Sequence, residues 1–146
     1  MILIKENIVV LEHTHFEDCF LEPLFAKIKV DTLEIRTLNI YALPHANLNN
    51  ILNVIAKSFY QLDLNNIIVI LGDLNIDMVH CNQKTKQLET YMQNYNLHFL
   101  VDKTNCMHKS LIDHVLANLA NIKYTIFVLD TYWSDHDTIS LVLQLS

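Results

Sequence analysis

The sequence predicts an α/β domain in which two layers of β-sheet pack on one another and helices flank them. Three observations carry this expectation. Helix-periodic segments are spaced among strand-like ones, and several strand-like segments follow one another directly near the end of the chain. The run Ile67-Ile68-Val69-Ile70-Leu71 is apolar without interruption, as a strand covered on both faces is. With 146 residues, 51% of them hydrophobic and 18% charged, the chain reads as one folded domain over 1–146 with a sizeable core.

The elements follow in order. Met1 to about Leu11 reads as a strand, and Thr32–Tyr41 alternates as a second one. Pro44 and His45 break that pattern, and Asn47 is placed to cap a helix. Leu48, Ile51, Leu52, Ile55, Phe59 and Leu62 then recur at helical spacing, giving an amphipathic helix whose apolar stripe must lie on a sheet. After the strand Ile67–Leu71 comes a second helix, near Thr85 to Tyr95, with Leu88, Tyr91, Met92 and Tyr95 on one face. Leu97–Val101, Leu111–Leu116, Lys123–Leu129 and Thr138–Leu143 read as strands. A single glycine and two prolines leave the turns to Asn and Asp, both of which tolerate left-handed backbone.

A net charge of −6 is not the basic footprint of a protein that binds nucleic acid by charge alone. The three cysteines, Cys19, Cys81 and Cys106, are odd in number and far apart, so a reducing, intracellular setting (cytoplasmic or nuclear) is expected, without a disulfide framework. No run has the length of a membrane span, and Lys5 and Glu6 come too early for a signal peptide's apolar region.

Three short segments carry chemistry. Gly72-Asp73-Leu74-Asn75 ends the apolar run: glycine permits a sharp turn, and alternation aims Asp73 and Asn75 to one side. A common strand-end turn is the simpler explanation of that segment alone. Ser110-Leu111-Ile112-Asp113-His114 sets a carboxylate in an apolar strand pattern, where it needs a partner or a site. A satisfied polar core residue is the alternative there. Ser134-Asp135-His136 sets a histidine beside an acid at a strand mouth, a candidate general base or else a polar turn.

In this order the three segments resemble the endonuclease/exonuclease/phosphatase superfamily, the deoxyribonuclease-I-like fold, and most closely the endonuclease domains of non-LTR retrotransposons. Asn39-Ile40-Tyr41 with Pro44, Thr104 ahead of Ser110, and the helix before Leu97 agree with it. The resemblance implies a four-layer αββα sandwich of which this chain is the C-terminal two-thirds. It implies that the N-terminal strands, with an Asn and a metal-binding Glu, are missing ahead of Met1-Ile2-Leu3-Ile4. Glu6, Glu12 and Glu22 do not stand in that Glu's context, and the family's Pro-Thr-Arg element reads Lys103-Thr104-Asn105 here.

The activity implied is metal-dependent phosphodiester hydrolysis, with DNA as substrate and no membrane involvement. His136 would be the general base and Asp113 would hold its ring. Asp73 would serve the nucleophile or leaving group, Asn75 a phosphate oxygen or the water, and Tyr41 the phosphate. Asp135 would help bind Mg²⁺ (or Mn²⁺). An inactive remnant of such a domain, and a phosphoesterase acting on a substrate other than nucleic acid, are the alternatives. Asp73, Asn75, Asp113, Asp135 and His136 are expected to converge on one edge, and an apolar face is expected to lie open near the missing strands.

Other residues draw less weight. His13-x-His15 shares a strand face without a third ligand. His80-Cys81 and Cys106-x-His108 read as surface or half-buried polar residues. Trp133 either stacks on a base, walls the pocket or plugs the core. His114 points away from Asp113 by strand alternation.

Overall fold

The computed structural model describes residues 4–59, 66–106, 109–119 and 121–145. Among these residues, eight strands and two helices follow in the order β1 (Val9–His15), β2 (Leu21–Val30), β3 (Leu33–Ala42), α1 (Leu48–Ser58), β4 (Ile67–Asp73), α2 (Gln83–Gln93), β5 (His98–Phe99), β6 (Asp113–Ala117), β7 (Lys123–Leu129) and β8 (Thr138–Gln144). Six strands form one sheet in the order β1-β2-β3-β4-β6-β5, and β7 and β8 form a second. Among the described strands only β3 and β4 pair in parallel, with α1 between them in sequence; the other pairs are antiparallel.

Period-two alternation in the central strands assigns each side chain to a layer. Ile68 and Ile70 of β4 join Leu38 and Ile40 of β3 in a core with Ile51 and Ile55 of α1 and Leu88 and Met92 of α2. Ile67 and Val69 face the other way, with Ile35, Val115 and Ala117, and pack against Ile126 and Val128 of β7 and Ile139, Leu141 and Leu143 of β8. The uninterrupted apolar run is therefore a strand covered on both faces, as its composition requires. The expected two-sheet sandwich is present. Among the described residues both helices lie on one face, so the layers run helix, large sheet, small sheet. The outward residues of the small sheet include Phe127, Leu129 and Val142, each about half exposed.

Several boundaries differ from the expectation. The first strand is Val9–His15, later than Met1–Leu11, because pairing with β2 (His15 opposite Leu24, Val9 opposite Lys29) sets its extent. Residues 1–3 lie outside the described residues. His13 and His15 lie on this strand, and neither joins a cluster able to hold a metal among the described residues. β2 is not evident in the sequence, since Pro23, Lys27 and Lys29 interrupt its apolar pattern; hydrogen bonding to β3 through a two-residue turn at Asp31-Thr32 holds it. The Leu97–Val101 strand shrinks to His98–Phe99, because the Leu97 amide bonds back to the Met92 carbonyl at the end of α2.

Asn47 caps α1 as expected, accepting from the Asn50 amide at 2.9 Å; Leu62 lies outside the described residues. The second helix begins at Gln83, two residues early, because Asn82 and Thr85 form a reciprocal capping box. Among the described residues four non-glycine residues adopt positive φ, and three of them are Asp31, Asn75 and Asn96, the residue types expected to replace glycine.

Gly72 has a φ of +135°, and a Cβ placed there would stand 1.9 Å from the Ile40 carbonyl oxygen. No side chain fits between β3 and β4 at that point. Gly72→Ala is expected to destabilise the domain by at least about 2 kcal/mol, from left-handed backbone strain together with the clash, as urea denaturation would measure.

Candidate active site at the ends of the two sheets

Asp73 and Asp113 are register partners on the antiparallel strands β4 and β6. Alternation from Val69 and Val115 turns both side chains toward the small sheet. Two carboxylates opposite one another on one face repel unless a cation or donor stands between them. The donor is His136, just ahead of β8: its Nδ1 lies 2.7 Å from Asp113 Oδ2. Ligand atoms of Asp73, Asp113 and His136 all lie within 4.8 Å of one another.

The electrostatics follow from this contact. The Asp113 hydrogen bond raises the His136 pKa above its ordinary value, against desolvation, and the charges of Asp113, Asp73 and Asp135 add to the rise. Burial raises the Asp73 pKa, the Asn75 amide opposes it, and the Asp113 charge adds to it. Linked to stability, the raised His136 value means that the pair stabilises the fold below the ring's ordinary pKa, and this contribution fades as pH rises through the raised value.

Asn75 folds back on Asp73. Its amide donates to Asp73 Oδ1 at 2.8 Å, and its side-chain nitrogen donates to the Ala42 carbonyl at 2.6 Å and to Asp73 Oδ2 at 3.3 Å. A φ of 48° at Asn75 makes this tight turn possible. The segment is thus a turn and also an anchor for the Asp73 carboxylate beside Asp113 and His136. Tyr41 lies two residues beyond Asn39, the partner of Leu71, at the same sheet end as Asp73, and is 42% exposed. Asp135 is exposed and has its carboxylate within 4.8 Å of ligand atoms of His136 and Cys106. The five residues expected at one edge are therefore gathered there through His136 and Asp73. A cleft of about 220 Å³ beneath them is lined by residues that include Asn39, Gly72, Asp113 and Asp137.

One residue central to this geometry has little signal in the sequence. Asn105 is completely buried and stands between the segments that carry Asp113 and His136. Its side-chain nitrogen donates to the Asp113 carbonyl at 2.6 Å, and its side-chain oxygen accepts from the Ile112 and Asp113 amides at 3.3 Å each. Its own carbonyl accepts from the Asp137 amide at 3.0 Å. Its place in the Lys103-Thr104-Asn105 segment was the only pointer available. His114, as alternation predicts, points to the helix layer; its Nε2 lies 2.9 Å from the Ile76 carbonyl, its ring meets Phe99 edge-on, and burial lowers its pKa. Trp133 is 84% exposed and does not plug the core.

Removing the Asn105 side chain would leave buried backbone donors and an acceptor without partners. Asn105→Ala is expected to cost about 2 to 4 kcal/mol in urea denaturation. It should also broaden or shift the His136 ring resonances, whereas Thr104→Ala should do neither.

A family model described as "Endonuclease-reverse transcriptase" matches residues 35–140. No curated protein sequence matches the chain. Among solved structures, the endonuclease domain of TRAS1, a telomere-specific non-LTR retrotransposon, superposes with a TM-score of 0.71 at 16% identity, over 92% of this chain and 67% of that one. An endonuclease/exonuclease/phosphatase family protein from Bacteroides thetaiotaomicron gives 0.62 at 14% identity, over 93% of this chain and 66% of that one. A mannosyl-6-phosphatase from the same organism gives 0.62 at 15% identity, over 94% and 67%. This chain thus spans about two-thirds of the length of each, and at these identities the likeness is one of fold. Together with the match over residues 35–140, it establishes that the chain belongs to the endonuclease-reverse transcriptase family, within the endonuclease/exonuclease/phosphatase superfamily.

Proposed function

We propose that this domain hydrolyses phosphodiester bonds in DNA, as an endonuclease of mobile-element origin, with His136 as general base. The observation that carries the proposal is the 2.7 Å contact between Asp113 and the His136 ring, with the Asp73 carboxylate in the same cluster. With Nδ1–H donated to Asp113, Nε2 holds a lone pair for the proton of an attacking water. Asp113 then stabilises the imidazolium that forms. Asp73, held by Asn75, orients the water or meets the leaving oxygen. Asn75 commits its side-chain nitrogen to Ala42 and Asp73, so its part is to hold that carboxylate, while its oxygen can face the water or a phosphate-bound group. Tyr41, exposed at the same sheet end, offers its hydroxyl to a phosphate oxygen.

The carboxylates at this rim are hard oxygen donors, a set that suits Mg²⁺ (or Mn²⁺) keeping most of its waters. Asp135 would help hold the ion. When bound, it supplies charge neutralisation for the phosphate.

The test is nicking of supercoiled plasmid by the purified chain. Cutting is expected with Mg²⁺ or Mn²⁺ and none with EDTA, and His136→Ala should lower the rate by at least about 100-fold. Folded wild-type protein that does not cut would mark the domain as an inactive relative. A phosphatase reading would gain only if DNA stayed intact while a phosphomonoester was hydrolysed with the same dependence on His136.

Activity should also report the ring's protonation. A base with a raised pKa stays protonated to higher pH, so the rate should climb as pH rises through a midpoint above His136's ordinary value. Asp113→Asn removes the negative charge that helps raise it, so the midpoint should move to lower pH while the plateau rate falls. A limb that does not move in the variant would contradict the assignment.

A further inference from the structure

We infer that Tyr132 and Trp133 form a stacking platform for unpaired bases of a DNA strand held at the His136 site. This rests on the phosphodiester reading of that site and adds the form of the substrate. Tyr132 is 95% exposed and Trp133 is 84% exposed, the two most exposed large apolar side chains among the described residues. Aromatic side chains of this size normally bury most of their surface, and adjacent exposed ones mark a contact surface.

Their setting identifies the partner. Both lie between the end of β7 at Leu129 and the start of β8 at Thr138, in the loop that delivers His136. Trp133 stands three positions before His136, a chain distance of at most about 10 Å, so whatever covers the tryptophan lies within one or two nucleotides of a phosphate at the ring.

The loop that presents these rings is fixed from within. The Thr131 hydroxyl donates to the His136 carbonyl, closing the loop at its base. The His136 amide donates to Ser134 Oγ at 3.1 Å, and the Asp137 amide donates to the Asn105 carbonyl at 3.0 Å. The ring of His136 is held by Asp113. The aromatic pair therefore projects from a braced turn, and little backbone freedom remains to be lost when a base stacks on it.

Stacking, not charge, favours an unpaired strand over a duplex. A net charge of −6 supplies little neutralisation for the phosphates of either form. Stacking on aromatic faces needs no base identity, but it does need bases that are out of the helix. A second copy of this chain could also cover the two rings, and the test separates that outcome.

Trp133 is the only tryptophan in the chain, so intrinsic fluorescence reports this one residue. The protein would be titrated, in EDTA to prevent cutting, with a single-stranded DNA oligonucleotide and with a blunt hairpin of the same length. The single strand should quench the tryptophan emission saturably. By anisotropy of labelled DNA it should bind at least about fivefold more tightly than the hairpin, and Trp133→Ala and Tyr132→Ala should each weaken it at least about fivefold. Trp133→Phe should retain most of the binding. Equal binding of hairpin and single strand, binding unaffected by Trp133→Ala, or emission that changes with protein concentration alone would overturn the inference. Because these readings need no hydrolysis, a protein that stacks single strands but does not nick plasmid would contradict the proposed activity and leave the platform standing.

Discussion

Two carboxylates, Asp73 and Asp113, face each other across neighbouring strands at the end of the large sheet, and the His136 ring relieves the repulsion between them. The pairing register of β4 with β6 fixes the carboxylates, while the packing of β7 and β8 over the same face brings in the ring. The 2.7 Å contact is therefore a join between the two sheets as well as a proton-handling pair. Shifting either sheet by one residue would turn these side chains to the wrong face.

Behind that contact lies a set of buried polar supports. Asn105 links the strand that carries Asp113 to the segment after His136. His114 and Asp77 fasten the loop after Asp73 to the start of β6: the ring meets the Ile76 carbonyl, and Asp77 accepts from the Leu111 amide at 3.0 Å. Gly72 lets β4 come within a side chain's width of β3 just before Asp73. Each of these residues satisfies or makes room for backbone, and their combined effect is to fix one carboxylate–imidazole geometry. Preorganisation of this kind is what acid–base chemistry on a phosphodiester needs, since small misplacements of a catalytic group are costly in rate.

Much of this was legible in the amino-acid sequence where local pattern and burial agree. The run Ile67–Leu71 announced a doubly covered strand, Asn47 announced a helix start, and the three polar segments stood out because acids and a histidine interrupted apolar strands. β2 was hidden because its contribution is backbone pairing, which its prolyl and lysyl side chains do not advertise. The extent of β1 was likewise set by its partner, and its largely exposed side chains carry almost no pattern. Asn105 was invisible for a different reason: an asparagine in a loop looks the same whether it is solvated or, as here, completely buried with its side chain bonded to three backbone groups. Trp133 could be read either as core or as surface, and only the surrounding loop decided between them.

The proposed chemistry depends on which nitrogen of His136 carries the proton. Long-range proton–nitrogen correlation spectra of the ring, recorded above its pKa, measure this directly. The geometry predicts the Nδ1–H tautomer, donated to Asp113, with Nε2 unprotonated. A neutral ring protonated at Nε2, or one averaging freely between tautomers, would contradict the pairing on which the proposed chemistry depends.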